Sequence, residues 1–341
     1  MKQKQAKIVI TTGDEAGVGP EIILKGLQSE QLPKNIDILI VGSKKILNST
    51  YNSLKNLGIK NMIDPSSLDI CDMEIPKINK FSHKANTGNA SFFYLKHAIE
   101  IVKSIPNAAL VTSPICKESW ALSGHKYSGQ TELLAESCGV SNVGMLFTAK
   151  SPHSNWRFNT LLATTHIPIN QISSKINAKL ITNKLDLLYK FCTLFTDSPN
   201  IKVAGLNPHA GEEGILGLEE KTILNKTLQK WGEDNKLANI QGPVSPDSCW
   251  ISSAKSWFKK QEKEHDGILA MYHDQGLIPM KIIAANYSVN TTLGLPIIRT
   301  SPDHGTGFDI AGKGIAQSQS IVEAIKTAND LIIKSNLLNS H

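Results

Sequence analysis

The stretch GILAMYHDQGLIPMK (residues 267–281) joins a short apolar run directly to histidine, aspartate and glutamine, and ends in lysine. GILAMY has the composition of a buried β-strand, and such a strand normally ends at turn-forming residues. Here it ends at side chains that bind metals or carry protons. A buried strand that runs into a helical segment is typical of an α/β fold.

The same alternation of β-branched runs and amphipathic stretches extends along the chain. The predicted strands are KIVITT, DILIVG, AALVTSPI, VGMLFTA, TLLATT, KVAGLN and GILAMY. The main predicted helices are PEIILKGLQSE, KKILNSTYNSLKNLG, NASFFYLKHAIEIVKSI, SSKINAKLITNKLDLLYKFCTLF and QSIVEAIKTANDLIIKSN. This order predicts an α/β protein with mainly parallel sheets. We expect one lobe of residues 1–108 and 248–341, and a second of residues 109–247.

Composition excludes several classes of function. The chain has 341 residues, 40% of them apolar, which allows a large core. Its net charge of +6 comes from scattered lysines, so we expect solvated surface and no nucleic-acid partner. No apolar run approaches the roughly 18 residues of a membrane span or reads as a signal peptide, so we expect a cytoplasmic protein without a membrane partner. Five dispersed cysteines without a CxxC motif favour a reducing compartment.

Three predicted strands are each followed by a histidine: TLLATT by His166, KVAGLN by His209 and GILAMY by His273. In open α/β sheets, ligands bind at the carboxyl ends of strands. Three imidazoles that meet there would bind a divalent cation and leave positions open for substrate oxygens. Zinc, cobalt and, with more water ligands, magnesium are compatible with them. The alternative is three hydrogen-bonded surface histidines, since their spacing matches no local zinc motif.

Two further candidates follow His273. Asp274 either orients an imidazole, acts as an acid or base, or caps the next helix. Lys281 either holds a phosphate or carboxylate, relays a proton, or lies on the surface.

Three loops have the composition of anion or cofactor sites. GDEAGVGPE (residues 13–21) has backbone N–H groups that could face an anion, but it is not a dinucleotide fingerprint. SGQTELLAE places Gln130 and Thr131 at a helix N-terminus, as anion ligands or as plain caps. SVNTTLGLPIIRTSPDHGTGFDIAGKG offers Asn290, Arg299 and a glycine-rich turn that suits an anionic ligand.

These motifs together resemble the 4-hydroxythreonine-4-phosphate dehydrogenase (PdxA) family. The matching stretches run from residue 13 to 316 and include GDEAGVGPEI, KANTGNAS, GHKYSGQTELLAE, LNPHAGEEG, YHDQGLIPMK and VNTTLGLPIIRTSPDHGTGFDIAGKGIA. The last stretch also resembles the cofactor loop of isocitrate and isopropylmalate dehydrogenases. The resemblance implies their two-lobed α/β fold, with the active site in the cleft.

The resemblance also implies roles for individual residues. The implied metal ligands, contributed across a homodimer interface, are His166, His209 and His273. The implied substrate-binding residues are Gln130, Thr131, Lys281, Asn290 and Arg299. The loop of residues 301–314 is the implied cofactor loop, with Asp303, His304, Gly305 and Asp309 as binding residues. Our candidates for proton transfer are Lys281 and Asp274.

The reaction implied is NAD- or NADP-dependent oxidation of 4-phosphooxy-L-threonine at C3, followed by loss of CO2 to give 3-amino-2-oxopropyl phosphate. Two departures from the family pattern bear on the substrate. Gln130 stands where the family motif GHTE has histidine, and Glu15 stands where the family has proline. Gln donates a hydrogen bond but carries no charge. A dehydrogenase of 4-phospho-threonate or 4-phospho-erythronate is therefore an alternative, and a phosphate acyltransferase is an alternative of another class.

Overall fold

The computed structural model describes residues 6–78, 82–259 and 264–338. In chain order its strands are β1 (Ala6–Thr11), β2 (Ile36–Gly42), β3 (Asp69–Asp72), β4 (Ala108–Thr112), β5 (Gly144–Lys150), β6 (Arg157–Leu162), β7 (Asn200–Ala204), β8 (Asn239–Val244), β9 (Gly267–Ala270), β10 (Val289–Leu293) and β11 (Ile298–Pro302). Its α-helices are α1 (Gly19–Gly26), α2 (Lys44–Asn56), α3 (His83–Ser104), α4 (Lys117–Leu122), α5 (Gln130–Cys138), α6 (Ile172–Lys175), α7 (Ala178–Cys192), α8 (Asn225–Asp234), α9 (Ile251–Phe258), α10 (His273–Ala284) and α11 (Gln319–Leu338). None of these helices is long and apolar enough to cross a membrane.

The chain divides into two compact units. The first comprises Met1–Ser141 and Leu295–His341, and the second comprises Asn142–Gly294. These boundaries differ from the expected ones at residues 108/109 and 247/248. Residues 109–141 belong to the first unit because β4 pairs with β1. Residues 248–294 belong to the second because β9 pairs with β6 and β7.

The first unit has the parallel strand order β3-β2-β1-β4-β11. Its central strands are continuous apolar runs, as expected for strands buried on both faces. On one face, Leu95 and Ile99 of α3 pack with Leu110 of β4 and Trp120 of α4. Helix α3 begins at residue 83, earlier than predicted, because the Ser82 side chain accepts a hydrogen bond from the Ala85 N–H and so provides an N-cap.

The second unit has the strand order β10-β5-β6-β9-β7-β8. Strand β5 is antiparallel to both β10 and β6, whereas β6, β9, β7 and β8 are parallel. The predicted mainly parallel α/β fold is therefore confirmed. Its core includes Phe147, Phe158, Trp257, Ile268 and Met280.

One long helix predicted in the second unit is interrupted. The segment SSKINAKLITNKLDLLYKFCTLF forms α6 and α7, with a break at residues 176 and 177. The Asn177 side chain accepts a hydrogen bond of 3.0 Å from the Leu180 N–H. Asparagine is among the best N-cap residues, so a new helix starts there.

Candidate functional site

The strand order of the second unit brings the three histidine-bearing strand ends to one edge. Strands β6, β9 and β7 are parallel neighbours. His166 and His209 lie a few residues beyond the ends of β6 and β7, and His273 is the first residue of α10 after β9. The carboxyl ends of parallel strands meet at the same edge of a sheet, which is where ligands bind in α/β folds.

His273 has the hydrogen bonding that a metal ligand requires. Its Nδ1 lies 2.7 Å from Asp274 Oδ1. An ionised carboxylate only accepts hydrogen bonds, so Nδ1 carries the proton and Nε2 of the neutral ring keeps a lone pair. The ring of His166 lies 5.3 Å from that of His273, between centroids, at an angle of 45°. The donor set at this edge therefore suits a divalent cation.

His209 lies in a strained turn. Its φ of 54° is left-handed, and Ala210, Gly211, Glu212 and Glu213 share that region. Such a backbone conformation costs free energy, so it persists only where surrounding contacts hold it in place. The buried Glu220 side chain accepts hydrogen bonds from the residues just before the turn, Leu206 and Asn207, and these bonds hold the start of the segment that contains His209.

Glu220 is a supporting residue that sequence reasoning missed. One of its carboxylate oxygens accepts hydrogen bonds of 2.7 Å from the Leu206 and Asn207 N–H groups. The other oxygen accepts from Asn207 Nδ2 at 2.8 Å. The side chain is 3% exposed, so these charge-assisted bonds form away from water. The only signal in the sequence is the acidic pair in GLEE that follows the glycine-rich turn.

The three histidines do not form a closed cluster within one chain. Across residues 6–78, 82–259 and 264–338, no group of three or more histidine, cysteine, aspartate or glutamate side chains is arranged to hold a metal. His166 and His209 are exposed, and the His273 side chain is 33% exposed. The metal assignment stays a prediction.

The candidate residues of α10 and β10 have distinct environments. Asp274 is in the first turn of α10, but Tyr272 occupies the N-cap position, so the capping alternative for Asp274 is wrong. Lys281 is exposed near the end of the same helix. Asn290 is half-buried on β10, and its Oδ1 is buried with no hydrogen-bond partner among the described residues. A buried acceptor without a hydrogen bond lowers stability by about 1–3 kcal/mol, and a donor on a bound ligand would offset that cost.

Arg299 lies on β11 and is 3% exposed. Its Nε and Nη2 donate to Thr112 Oγ1 at 3.2 and 2.7 Å, and Nη2 donates to Gln130 Oε1 at 3.4 Å. Gln130 Nε2 in turn donates to the Ser113 carbonyl at 3.1 Å. Burial lowers the pKa of Arg299 to about 10, so it remains charged at neutral pH. A buried cation beside a helix start is suited to an anion.

Helix α5 begins with Gln130 and Thr131, as predicted. Its N-cap residue is Gly129, which has no side chain, so the alternative that Gln130 or Thr131 is a plain cap is wrong. Gln130, at this helix start, contacts Arg299 through its side-chain oxygen, and the helix N-terminus carries a partial positive charge that favours an anion. The structure therefore brings the predicted residues Gln130 and Arg299 together.

The predicted cofactor residues lie in the loop after β11. His304 and Asp309 are exposed, and His304 Nδ1 donates to the Gly305 carbonyl at 2.9 Å. Asp303 is half-buried. The loop is joined to the GDEAGVGPE segment, since the Val18 N–H donates to the Thr306 carbonyl at 2.8 Å.

Glu15, the residue that replaces the family proline, is held by Tyr94. The Tyr94 hydroxyl donates to Glu15 Oε1 at 2.5 Å. Burial raises the pKa of Glu15, and the hydrogen bond from Tyr94 opposes that effect. The Glu15 carboxylate therefore has a partner within its own unit.

Comparison with known proteins identifies the family. The family model described as "Pyridoxal phosphate biosynthetic protein PdxA" matches residues 34–328. The chain belongs to this family. A protein of Synechococcus sp. (strain RCC307) named 4-hydroxythreonine-4-phosphate dehydrogenase is 46% identical over 328 residues, covering 95% of this chain and 99% of the relative.

Two further proteins are similar to this chain. The crystal structure of 4-hydroxythreonine-4-phosphate dehydrogenase from Klebsiella pneumoniae superposes with a TM-score of 0.78 at 31% identity, covering 96% of this chain and 99% of that one. A protein of Oceanobacillus iheyensis named putative D-threonate 4-phosphate dehydrogenase is 35% identical, covering 96% of this chain and 98% of the relative.

Proposed function

We propose that this PdxA protein is a 4-hydroxythreonine-4-phosphate dehydrogenase of pyridoxal 5'-phosphate biosynthesis. It would oxidise 4-phosphooxy-L-threonine at C3 with NAD or NADP, and the product would lose CO2 to give 3-amino-2-oxopropyl phosphate. The observation that carries the proposal is the set of three parallel neighbouring strands that each lead to a histidine.

The residues that would hold a divalent cation are His166, His209 and His273. Zinc, cobalt or magnesium bound there would act as a Lewis acid toward the substrate oxygen. Asp274 accepts a hydrogen bond from the Nδ1–H of His273 and thereby keeps Nε2 available for the metal. This contact favours an orienting role for Asp274 over a role as general base.

The substrate is expected to carry a phosphate and a carboxylate, and each unit by itself contains groups that suit such an anion. In the first unit these are Arg299, Gln130, Thr131 and the N-terminus of α5. In the second unit they are the Lys281 ammonium and the Asn290 amide. Lys281 is exposed, and we propose it as the proton carrier because it is the remaining titratable candidate on α10.

The nicotinamide cofactor would be bound by the loop that contains Asp303, His304, Gly305 and Asp309. The cofactor supplies the hydride acceptor, and the protein supplies its binding and orientation. His304 is already oriented by its bond to the Gly305 carbonyl.

We further propose a homodimer. Helix α10, which carries His273, also exposes Ile278 and Ile282, which are 57% and 78% exposed. These residues are one turn apart and share a face of the helix. Exposed aliphatic side chains clustered on one surface are typical of an interface. A second chain would bring further ligands to the histidines, which do not close a metal site alone.

A 4-phospho-threonate dehydrogenase is the second candidate. The observation that favours it is Gln130, whose oxygen accepts from Arg299 and whose nitrogen donates to Ser113. With both ends of its amide engaged, Gln130 would present no charge to the substrate. The relative from Oceanobacillus iheyensis named for that substrate lends it further support.

The deciding experiment follows reduced nicotinamide by absorbance after the protein has been stripped of metal with a chelator. 4-Phosphooxy-L-threonine and NAD or NADP are added with zinc, cobalt or magnesium. Metal-dependent reduction that His166→Ala abolishes supports the proposal, and His153→Ala, at another exposed histidine of the second unit, is the matched control. Reduction of the nicotinamide with 4-phospho-threonate, but not with 4-phosphooxy-L-threonine, would favour the second candidate. No reduction with either substrate would refute both dehydrogenases, and acyl-phosphate formation without metal would then indicate an acyltransferase.

A further inference from the structure

The glycine-rich segment of residues 303–316 is attached at two points to the GDEAGVGPE segment and the helix that follows it. Near its start, the Thr306 carbonyl accepts a hydrogen bond from the Val18 N–H at 2.8 Å. Gly17 approaches so closely that a Cβ on it would lie 2.7 Å from the Thr306 oxygen. Glycine is therefore required at position 17 for the two segments to meet.

Near its end, the segment is held by two side chains one turn apart on α1. Glu21 Oε1 accepts from the Ala316 N–H at 3.0 Å, and Glu21 Oε2 accepts from the Gly312 N–H at 3.2 Å. Lys25 Nζ donates to the Gly314 and Ala316 carbonyls at 2.7 and 2.9 Å. The two side chains also form an ion pair of 2.8 Å.

These contacts occupy all three protons of the Lys25 ammonium and both oxygens of the Glu21 carboxylate. The side chains are 1% exposed for Glu21 and 13% exposed for Lys25. A buried ion pair needs partners for its remaining donors and acceptors, and here the loop backbone provides them. In return, the pair satisfies backbone groups around Gly312 and Gly314, whose φ angles of 73° and 74° place them outside any helix or sheet.

We propose that Glu21 and Lys25 are positioning residues that hold segment 303–316 in shape for the nicotinamide cofactor. The inference rests on the proposed function, because it assigns the cofactor to that segment. A loop that is ordered before binding does not lose conformational entropy on binding, and affinity rises accordingly. The GDEAGVGPE motif then serves as a platform for the cofactor loop, whereas its sequence suggested an anion-binding turn.

The test uses two variants of the full-length protein, Glu21→Gln and Lys25→Met. Gln removes one acceptor while keeping the shape, and Met removes the three donors while keeping the apolar stem. The matched controls are Glu323→Gln and Lys326→Met, which break an ion pair of 2.8 Å on α11 whose Glu is also buried. Hydrogen–deuterium exchange of residues 303–316 is measured without cofactor, and calorimetry gives the Kd for NAD and NADP.

We expect faster exchange in residues 303–316 and a Kd weaker by about tenfold in both variants. We expect the KM for the phosphorylated substrate to stay within about twofold, and both controls to match the wild type. Unchanged exchange, or faster exchange with an unchanged Kd, would overturn the inference. A wild-type protein that binds neither nucleotide would refute the proposed function as well, whereas binding that the two variants leave intact would refute the inference alone.

Discussion

At the scale of single residues, Arg299 combines near-complete burial with hydrogen bonds that fix its guanidinium. It is one of only two arginines in the chain, and it is buried between Thr112 and Gln130. A buried guanidinium presents a planar fork of N–H donors, which matches the geometry of phosphate and carboxylate oxygens.

Arg299→Lys should raise the KM for the phosphorylated substrate by about tenfold to a hundredfold. Lysine keeps the charge, but it lacks the planar fork that contacts Thr112 and Gln130. The control is Arg157→Lys, because the only other arginine lies in the second unit over the ring of Phe195. Steady-state kinetics test this, and a wild-type KM in Arg299→Lys would show that Arg299 does not bind the anion.

Because His265 is buried, the free energy of unfolding should fall as the pH is lowered. Burial lowers its pKa to about 3, and the nearby Lys202 ammonium acts in the same direction. The unfolded chain takes up a proton below about pH 6.5, whereas the folded state does not. Stability from this residue is therefore complete above about pH 6.5 and falls by up to about 1.4 kcal/mol per pH unit below it.

The variant His265→Phe has no titrating group at this position, so its free energy of unfolding lacks this pH dependence. Urea unfolding at pH 7 and pH 5 should show a loss in the wild type that exceeds the loss in the variant by about 2 kcal/mol. His153→Ala controls for removal of an exposed histidine. An identical decline in wild type and His265→Phe would mean that His265 does not govern the acid sensitivity.

At the scale of elements, the first turn of α10 supplies the side chains that lie at the end of β9. His273 and Asp274 are the first two residues of α10, and Asp274 fixes the His273 ring. Gln275, the next residue, ties two strands together, because its oxygen accepts from the Met271 N–H at 2.6 Å and its nitrogen donates to the Gly205 carbonyl at 2.7 Å.

Asp274→Asn should weaken metal affinity by about tenfold to a hundredfold without abolishing turnover at saturating metal. Asparagine still accepts a hydrogen bond, but it lacks the charge that supports the imidazole as a ligand. Zinc competition with a chromophoric chelator measures the affinity, with Asp197→Asn as an exposed control in the same unit. A collapse of kcat at saturating metal, with unchanged affinity, would instead identify Asp274 as a general base.

Local patterns predicted most of the elements and several of their ends, but not the strands β3, β8 and β10. Strand-to-histidine transitions and the helix start at Gln130 depend on neighbouring residues, so they can be read from the chain. The break before α7 had a local signal in Asn177, but the apolar period across it favoured one helix. The contacts of Glu21 with Gly312 and Ala316 had no such signal, because they join residues 291 and 295 positions apart.

At the scale of the whole molecule, the predicted residues divide between the two units. The first holds Gln130, Thr131, Arg299 and the cofactor loop, and the second holds the histidines, Asp274, Lys281 and Asn290. The lobe boundaries could not be derived from the alternation of elements, because strand pairing decides which segments belong together. The complete metal site could not be derived from the order of elements either, because our proposal needs a second chain to complete it.

The decisive measurement is an equilibrium titration of the protein with cobalt, followed by visible absorption. It would compare the wild type with His166→Ala, His209→Ala, His273→Ala and the control His153→Ala. We predict about one cobalt ion per subunit in the wild type and the control, and cobalt affinity at least about a hundredfold weaker in each of the other three variants. Wild-type cobalt affinity in any one of those three variants would contradict the claim that the strand-end histidines form one metal site.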